Sequence, residues 1–108
     1  MINELERKKW IKAQERGKYL PIGSLIRLEG IDSPVLIIGK LQYNGDNTDK
    51  LYDYAGVDYP VGFVNPKEIW MFDMYKIIEV IQSGHESMEE NELNKKISKF
   101  WKQHPEKR

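Results

Sequence analysis

The residues best suited to chemistry lie in the stretch Tyr52–Gly62, which holds three tyrosines, two aspartates, two glycines and a proline. Carboxylates can transfer protons or hold cations, so an acid–base pair is one interpretation of this stretch. Asp53 and Asp58, however, lie five positions apart on a predicted strand. Strand alternation sends their side chains to opposite faces unless a bulge at Gly56 resets the phase. A structural role for Asp53, as an acceptor for a turn or a tyrosine hydroxyl, is therefore favoured over a catalytic one.

Aromatic side chains in and just after this stretch are candidates for binding. Exposed tyrosines can stack on the bases of a single-stranded nucleic acid or anchor a protein partner. A nucleic-acid groove also needs positive charge, whereas residues 21–85 carry five basic and nine acidic side chains. We therefore favour a protein partner and predict no nucleic-acid binding. The candidate partner-binding residues are Tyr52, Asp53, Tyr54, Tyr59 and Phe63.

No other pattern in the sequence indicates catalysis or a bound cofactor. The two histidines, His85 and His104, have no second histidine at the spacing of a metal site. The chain has no cysteine, which excludes disulfides and thiolate metal sites. It also lacks a glycine-rich loop followed by lysine and serine or threonine, so no phosphate-binding loop is predicted. The sequence predicts no catalytic residue, no metal, no cofactor and no enzymatic activity.

Length and composition indicate a single small domain that stays in the cytoplasm. The chain has 108 residues and no net charge, from 17 basic and 17 acidic side chains. Dedicated nucleic-acid-binding domains usually carry a clear basic excess, so this balance argues against that class. The longest apolar run is Val35–Ile38, far short of a membrane span. The first residues lack the apolar segment of a secretory signal, so we expect a cytoplasmic protein without membrane contact.

Helical patterns at both ends flank a run of short strands. The first helix is predicted from Asn3 to about Gly17, with Leu5 and Trp10 as its packing residues. The strands follow from alternating or continuous apolar residues between turn signals. They are predicted at Leu25–Glu29, Val35–Leu41, Leu51–Tyr59, Glu68–Phe72 and Ile77–Ile81. This order predicts an α+β fold: a small antiparallel sheet or partly open barrel of four to five strands, with an N-terminal and a C-terminal α-helix.

The sequence also predicts features of the central strand, the hairpin after it and the second helix. Val35–Leu41 is apolar on both faces and should be the central strand, with a bulge or a close backbone approach at Gly39. Asn44–Asp49 is predicted as an exposed hairpin loop. Ser87, three residues before a glutamate, is predicted to cap the second helix. The predicted division is residues 1–19 for the first helix, 20–84 for the β-rich core, 85–104 for the second helix and 105–108 for a frayed tail.

Four ordered segments resemble a small family of bacterial proteins. Those segments are Leu20–Ser24, Leu36–Gly39, Tyr52–Gly62 and Met71–His85. Together they are similar to the domain-of-unknown-function proteins of Gram-positive bacteria that are encoded beside type VII secretion (Esx/LXG-toxin) genes. The sequence departs from that pattern at His85, where the family more often has tyrosine, and across Phe63–Glu68, which differs in length and content.

The resemblance implies a cellular context but no mechanism. It implies a cytoplasmic accessory factor for secreted LXG-type toxins, acting as a chaperone, adaptor or immunity protein, with a toxin or secretion component as its partner. The family offers no catalytic residues to carry over to this sequence. The alternative hypothesis is a small β-barrel that binds a small ligand or single-stranded nucleic acid through exposed tyrosines.

Overall fold

A computed structural model describes residues 4–108. Two α-helices flank five strands, in the order α1 Glu4–Glu15, β1 Leu25–Leu28, β2 Val35–Asn44, β3 Asn47–Asp58, β4 Trp70–Phe72, β5 Ile77–Gln82 and α2 Met88–Gln103. Short 3-10 turns occupy Pro66–Glu68, Met74–Lys76 and Pro105–Lys107. The predicted α+β fold is confirmed, and the start of the predicted first helix at Asn3 lies outside the described residues. Neither described helix has the length and apolar character needed to cross a membrane.

The five strands form one antiparallel sheet in the order β4-β3-β2-β1-β5, so β2 is the central strand, as predicted. The two edge strands, β4 and β5, are joined by residues 73–76, which include the 3-10 turn Met74–Lys76. A flat sheet of five strands would separate its edges by about 19 Å. A link with a 3-10 turn, rising only about 2 Å per residue, cannot span that distance. The sheet is therefore strongly curled.

A β-bulge interrupts β2 at the position where the sequence predicts one. Ile37 pairs with Gly56, and Gly39 pairs with Ala55, so Ile38 is an extra residue on the β2 side. The side chain of Ile38 is 41% exposed although it lies in the central strand. The bulge near Gly39 is confirmed.

The predicted break or bulge at Gly56 is wrong, because β3 runs through that position and pairs on both sides. A Cβ atom at Gly56 would lie 2.5 Å from Cγ1 of Val35 and 2.9 Å from the carbonyl oxygen of Leu36. Glycine is needed at this position because neighbouring strands approach closely, which is the other reason for a glycine inside a strand.

The hairpin between β2 and β3 is shorter than predicted. Both strands extend into the segment predicted as a loop, so that Asn44 pairs with Asn47. Gly45 and Asp46 alone form the turn, with Gly45 at a φ of 59°. A two-residue turn of this kind matches the twist of the flanking strands. The polar composition of Asn44–Asp49 therefore reflects solvent exposure on both strands rather than a long loop.

The helices pack through fewer apolar residues than the sequence predicts. Leu5 is 73% exposed, and the one buried residue within α1 is the polar Gln14. In α2, Ile97 is buried, whereas Leu93 is 44% exposed. Ser87 caps α2 as predicted, since its Oγ accepts a hydrogen bond from the backbone N–H of Glu90 at 3.1 Å.

The hydrophobic core lies where the curled sheet meets α2 and the segment that follows α1. Its buried members come from β1 to β5, from α2, from the segment after α1 and from the link between β4 and β5. They are Tyr19, Ile26, Leu28, Val35, Ile37, Tyr54, Phe72, Met74, Ile77 and Ile97. The final residues, predicted to fray, form the turn Pro105–Lys107 and place Arg108 against β3.

Candidate functional site

The stretch predicted as the site is divided by burial into two regions. Residues 53–57 are buried without interruption, so both faces of β3 are covered there. Residues 59–70, by contrast, are largely exposed. We call the first region, Asp53 and Tyr54 with the groups they bind, the polar centre. The second is the loop surface, formed by Tyr59, Val61, Phe63, Val64 and Trp70.

Asp53 joins three separate segments in the polar centre. Its side chain is fully buried, and Oδ2 accepts hydrogen bonds from the backbone N–H of Met74 and from Nη1 of Arg108, each at 3.0 Å. Its own backbone N–H donates to Oδ1 of Asp73 at 3.2 Å, and Oδ2 of Asp73 binds the Lys50 ammonium at 2.8 Å. The Oδ1 atom of Asp53 is buried without a hydrogen-bond partner within residues 4–108. Asp53 therefore ties β3 to the β4–β5 link and to the C-terminal tail.

Tyr54 joins β3 to α1 and to the segment after it. Its hydroxyl accepts a hydrogen bond from the backbone N–H of Leu20 at 2.9 Å and donates to Oε1 of Gln14. Nε2 of Gln14 in turn donates to the carbonyl oxygen of Trp10 at 3.1 Å. The Tyr54 ring stacks on Phe72 of β4, with ring centroids 5.6 Å apart. The polar side chain of Gln14 thus takes the place of an apolar contact in docking α1.

The phenols of the polar centre are held in their protonated form. Burial raises the pKa of the Tyr54 hydroxyl far above its ordinary value, and the charge of Asp53 adds to that effect. Burial also raises the pKa of Tyr19 to about 12, with the Asp53 carboxylate as the second cause. Neither phenol can act as a base near neutral pH, so the polar centre is suited to holding the fold together.

The two aspartates are not brought together, in agreement with strand alternation. Oδ1 of Asp58 accepts a hydrogen bond from the indole Nε1 of Trp70 at 2.8 Å, whereas Asp53 is buried with Arg108. The tyrosines of this stretch do not form one exposed binding surface, because Tyr54 has no exposed surface. Tyr52 is half-buried, with the Lys50 ammonium 4.9 Å from its ring centroid. Asp53 and Tyr54 therefore cannot contact a partner in the folded chain.

The loop surface keeps two of the predicted candidates, Tyr59 and Phe63, accessible and adds three apolar neighbours. The exposed fractions are 71% for Val61, 60% for Phe63, 56% for Val64, 50% for Tyr59 and 38% for Trp70. These side chains lie on the β3–β4 loop and on the first residue of β4. Solvent exposure of five large apolar side chains within twelve positions requires an explanation beyond folding.

Backbone hydrogen bonds hold the start of the β3–β4 loop, and a side-chain cap holds the turn further along. The N–H of Tyr59 donates to the carbonyl oxygen of Pro34 at 2.9 Å, and the N–H of Gly62 donates to Asp58 at 2.7 Å. The Tyr59–Pro60 peptide bond is cis. Further along, the Asn65 side chain caps the turn Pro66–Glu68. The apolar side chains are consequently presented on a hydrogen-bonded loop.

Sequence reasoning missed Val61, Val64, Trp70 and Arg108. A usable signal existed for the valines, because Val61 and Val64 are apolar residues within a segment of turn formers. Trp70 lies in the predicted strand Glu68–Phe72, and membership of a strand does not by itself decide whether a side chain is exposed. No local signal connects Arg108 with Asp53, which lies 55 positions earlier.

Metal and histidine chemistry find no support within residues 4–108. No group of three or more histidine, aspartate or glutamate side chains in this part of the chain could hold a metal ion. His85 is exposed. His104 lies 3.3 Å from the Glu106 carboxylate and packs on the Phe100 ring, with centroids 4.7 Å apart.

Comparison with known proteins gives one match. Residues 19–93, more than two thirds of the chain, match the family described as "Domain of unknown function (DUF4176)". The matched region runs from the segment before β1 into α2 and includes Asp53, Tyr54 and the loop surface, but not Gln14 or Arg108. No curated protein and no solved structure matches the chain.

Proposed function

We propose that this chain, which belongs to the DUF4176 family of domains of unknown function, is a non-enzymatic module that binds a protein partner through the loop surface. The observation that carries the proposal is the exposure of five large apolar side chains, four on one hydrogen-bonded loop and one on the first residue of β4. Exposed apolar patches are typical of protein–protein contact sites. Tyr59 and Trp70 also belong to the residue types that contribute most to binding energy in such sites.

The order of the loop favours binding as well. A loop that is already fixed loses less conformational entropy when it docks, so more of the contact energy appears as affinity. The hydrogen bonds at Tyr59 and Gly62 and the cap at Asn65 hold the loop in one conformation. We expect the partner to cover Val61 and Phe63 at the centre of the contact, with Asp58 and Lys67 at its polar rim.

The partner we propose is a secreted LXG-type toxin or a component of type VII secretion in a Gram-positive bacterium. This part of the proposal rests on the resemblance of segments Leu20–Ser24 to Met71–His85 described above. The chain would act in the cytoplasm as a chaperone, adaptor or immunity factor that covers apolar surface on its partner. Such a role needs binding and no chemistry, which agrees with the structural part played by Asp53 and Tyr54.

Co-purification with an LXG-type toxin tests the proposal directly. The toxin tested is one that the proposal places beside the gene for the chain, and it is expressed together with the tagged chain. The variant Val61→Ser/Phe63→Ser removes the centre of the loop surface, and we expect it to lower recovery of the toxin more than tenfold. The matched control is Met88→Ser/Leu93→Ser, which changes two exposed apolar side chains of α2 instead. We expect the control to recover as much toxin as the unchanged chain.

Two results would contradict the proposal. A tagged chain that recovers neither a toxin nor a secretion component from its native cells would remove the proposed context. Equal recovery by the loop variant and the unchanged chain would remove the loop surface as the contact site, even where a toxin is bound.

A further inference from the structure

A cleft rich in positive charge lies between the end of α1 and one side of α2. Its volume is about 560 Å³, and five of its nine lining residues are cationic. These five are Arg16, Lys18, Lys95, Lys99 and Lys102, and we call this feature the basic cleft. The cleft shares no residue with the loop surface and takes no part in the function proposed above.

The wall contributed by α1 is fixed by the way that helix ends. Gly17 has a φ of +95°, the N–H of Lys18 donates to the carbonyl oxygen of Ala13 at 2.9 Å, and the N–H of Gly17 donates to Gln14 at 3.0 Å. This pair of bonds is the Schellman arrangement, which holds the residues after a helix in a defined position. A Cβ atom on Gly17 would collide with Oγ of Ser98, so the two walls of the cleft are in close contact at its floor.

The charge of the basic cleft is largely uncompensated. Within residues 4–108, the side chains of Arg16, Lys18, Lys99 and Lys102 form no hydrogen bond or ion pair. Lys95 makes an exposed contact with Glu92 at 3.4 Å, which contributes little in water. Five of the 17 basic residues thus line one cleft, and the other 12 are outnumbered by 17 acidic residues over the rest of the chain.

We propose that the basic cleft binds a short acidic peptide segment of a partner protein. The cations are spread along the cleft instead of meeting at one point: the α2 residues from Lys95 to Lys102 span about 10 Å. Four of the five are lysines, whose ammonium groups act as separate point charges and lack the planar fork with which arginine binds a single phosphate. Carboxylates repeated along a peptide match this arrangement, and a single phosphate does not.

Charge on the remainder of the molecule favours a short ligand over a long polyanion. Outside the cleft, the chain has 12 basic side chains against 17 acidic ones, so a nucleic acid that wraps beyond the cleft meets net negative charge. Repulsion there would oppose the attraction inside the cleft. An acidic segment of about seven residues, about 10 Å long as a helix, matches the length of the row from Lys95 to Lys102.

Fluorescence anisotropy with a labelled glutamate–serine peptide of about ten residues tests the assignment. We expect saturable binding at low salt that weakens as salt is added, because exposed charges are screened. Lys99→Glu reverses a charge inside the cleft, and Lys96→Glu makes the same change on the same helix outside it. We expect Lys99→Glu to raise the Kd roughly three- to tenfold, and Lys96→Glu to change it by less than about twofold.

Several outcomes would overturn the proposal. Equal losses of peptide affinity for Lys99→Glu and Lys96→Glu would show a response to net charge alone. Absence of binding at low salt would show that an acidic peptide is not the ligand. Tighter binding of an oligothymidylate than of the peptide would assign the cleft to nucleic acid. Self-association that Lys99→Glu abolishes would assign it to the acidic start of α2 in a second copy. Lys102→Glu repeats the test if Lys99→Glu loses its helical circular dichroism.

Discussion

The polar centre and the loop surface are neighbours in sequence and opposites in structure. Tyr54 and Tyr59 lie five positions apart, yet the first has no exposed surface and the second is half exposed. Asp53 and Asp58 differ in the same way, since one is sealed beneath Arg108 and the other binds Trp70 at the surface. Residue type does not distinguish the members of either pair.

The difference arises from the segments that cover β3. Gln14 of α1, Leu20 of the segment after it and Arg108 of the tail all bond to Asp53 or Tyr54. A buried polar group without its partner costs about 1–3 kcal/mol, so each of these bonds matters to stability. Within residues 4–108 no such cover lies over Val61 or Phe63, whose exposed surface remains available. Stability and binding are thus assigned to adjacent parts of one stretch.

The largest effect is expected from Asp53→Ala. This change leaves the Met74 N–H without its acceptor in the interior, and it leaves the partly exposed Arg108 guanidinium without its counter-charge. We expect the free energy of unfolding to fall by about 3 kcal/mol. Urea denaturation monitored by tryptophan fluorescence measures it. Asp58→Ala is the matched control and should cost less than about 1 kcal/mol, because its hydrogen bond to Trp70 is at the surface.

A smaller loss is expected from Tyr54→Phe. The ring and its stacking on Phe72 remain, while the hydroxyl that joins Leu20 to Gln14 is removed. We expect a loss of about 1–2 kcal/mol in the same denaturation experiment. Tyr52→Phe, on the same strand, should change stability by less than about 0.5 kcal/mol. Similar losses for the two variants would contradict the division of β3 into a polar centre and its surroundings.

The pH dependence of stability sharpens the same comparison. The pKa of Tyr19 is raised to about 12 in the folded chain, against an ordinary value of about 10. Between these values the unfolded state has released a proton that the folded state retains, so stability falls as pH rises. Each such phenol contributes up to about 1.4 kcal/mol per pH unit across that window, with full stability present below pH of about 10.

Thermal unfolding at a series of alkaline pH values measures this slope. The Tyr54 pKa is raised in the same direction, so both phenols should remain protonated until the chain unfolds. Tyr19→Phe should make the slope shallower, because it removes a phenol whose pKa is raised by burial. A steep slope that survives Tyr19→Phe and Tyr54→Phe together would contradict this origin.

Much of the fold could be predicted from local patterns. The order of helices and strands, the central place of Val35–Leu41 and the cap at Ser87 each depend on residues within a few positions of one another. The bulge near Gly39 also follows from a glycine inside an apolar strand. In each case the physical cause is local, so the sequence is sufficient.

The candidate site could be predicted only in part, because segments distant in sequence decide which of its side chains are buried. Alternation along β3 places Tyr54 opposite Asp53, but it does not reveal that Gln14 will cover the hydroxyl. Gln14 is a polar residue on a weakly amphipathic helix, and nothing in the sequence indicates that this side chain will be the buried contact of α1. Arg108 gives none either, since the end of a chain is ordinarily expected to fray. Prediction fails where a polar pair joins residues far apart in sequence.

The smallest effect on stability is expected on the loop surface, and two valines allow a matched test. Val57 is 3% exposed and Val61 is 71% exposed, four positions apart. Val57→Ser leaves a cavity and buries a hydroxyl in the interior. It should lower the free energy of unfolding by about 2–3 kcal/mol. Val61→Ser exchanges water-exposed apolar surface for a polar group and should change the free energy of unfolding by less than about 0.5 kcal/mol. If Val61→Ser instead destabilises the chain as much as Val57→Ser, the valine supports the fold, and binding is no longer needed to explain its exposure.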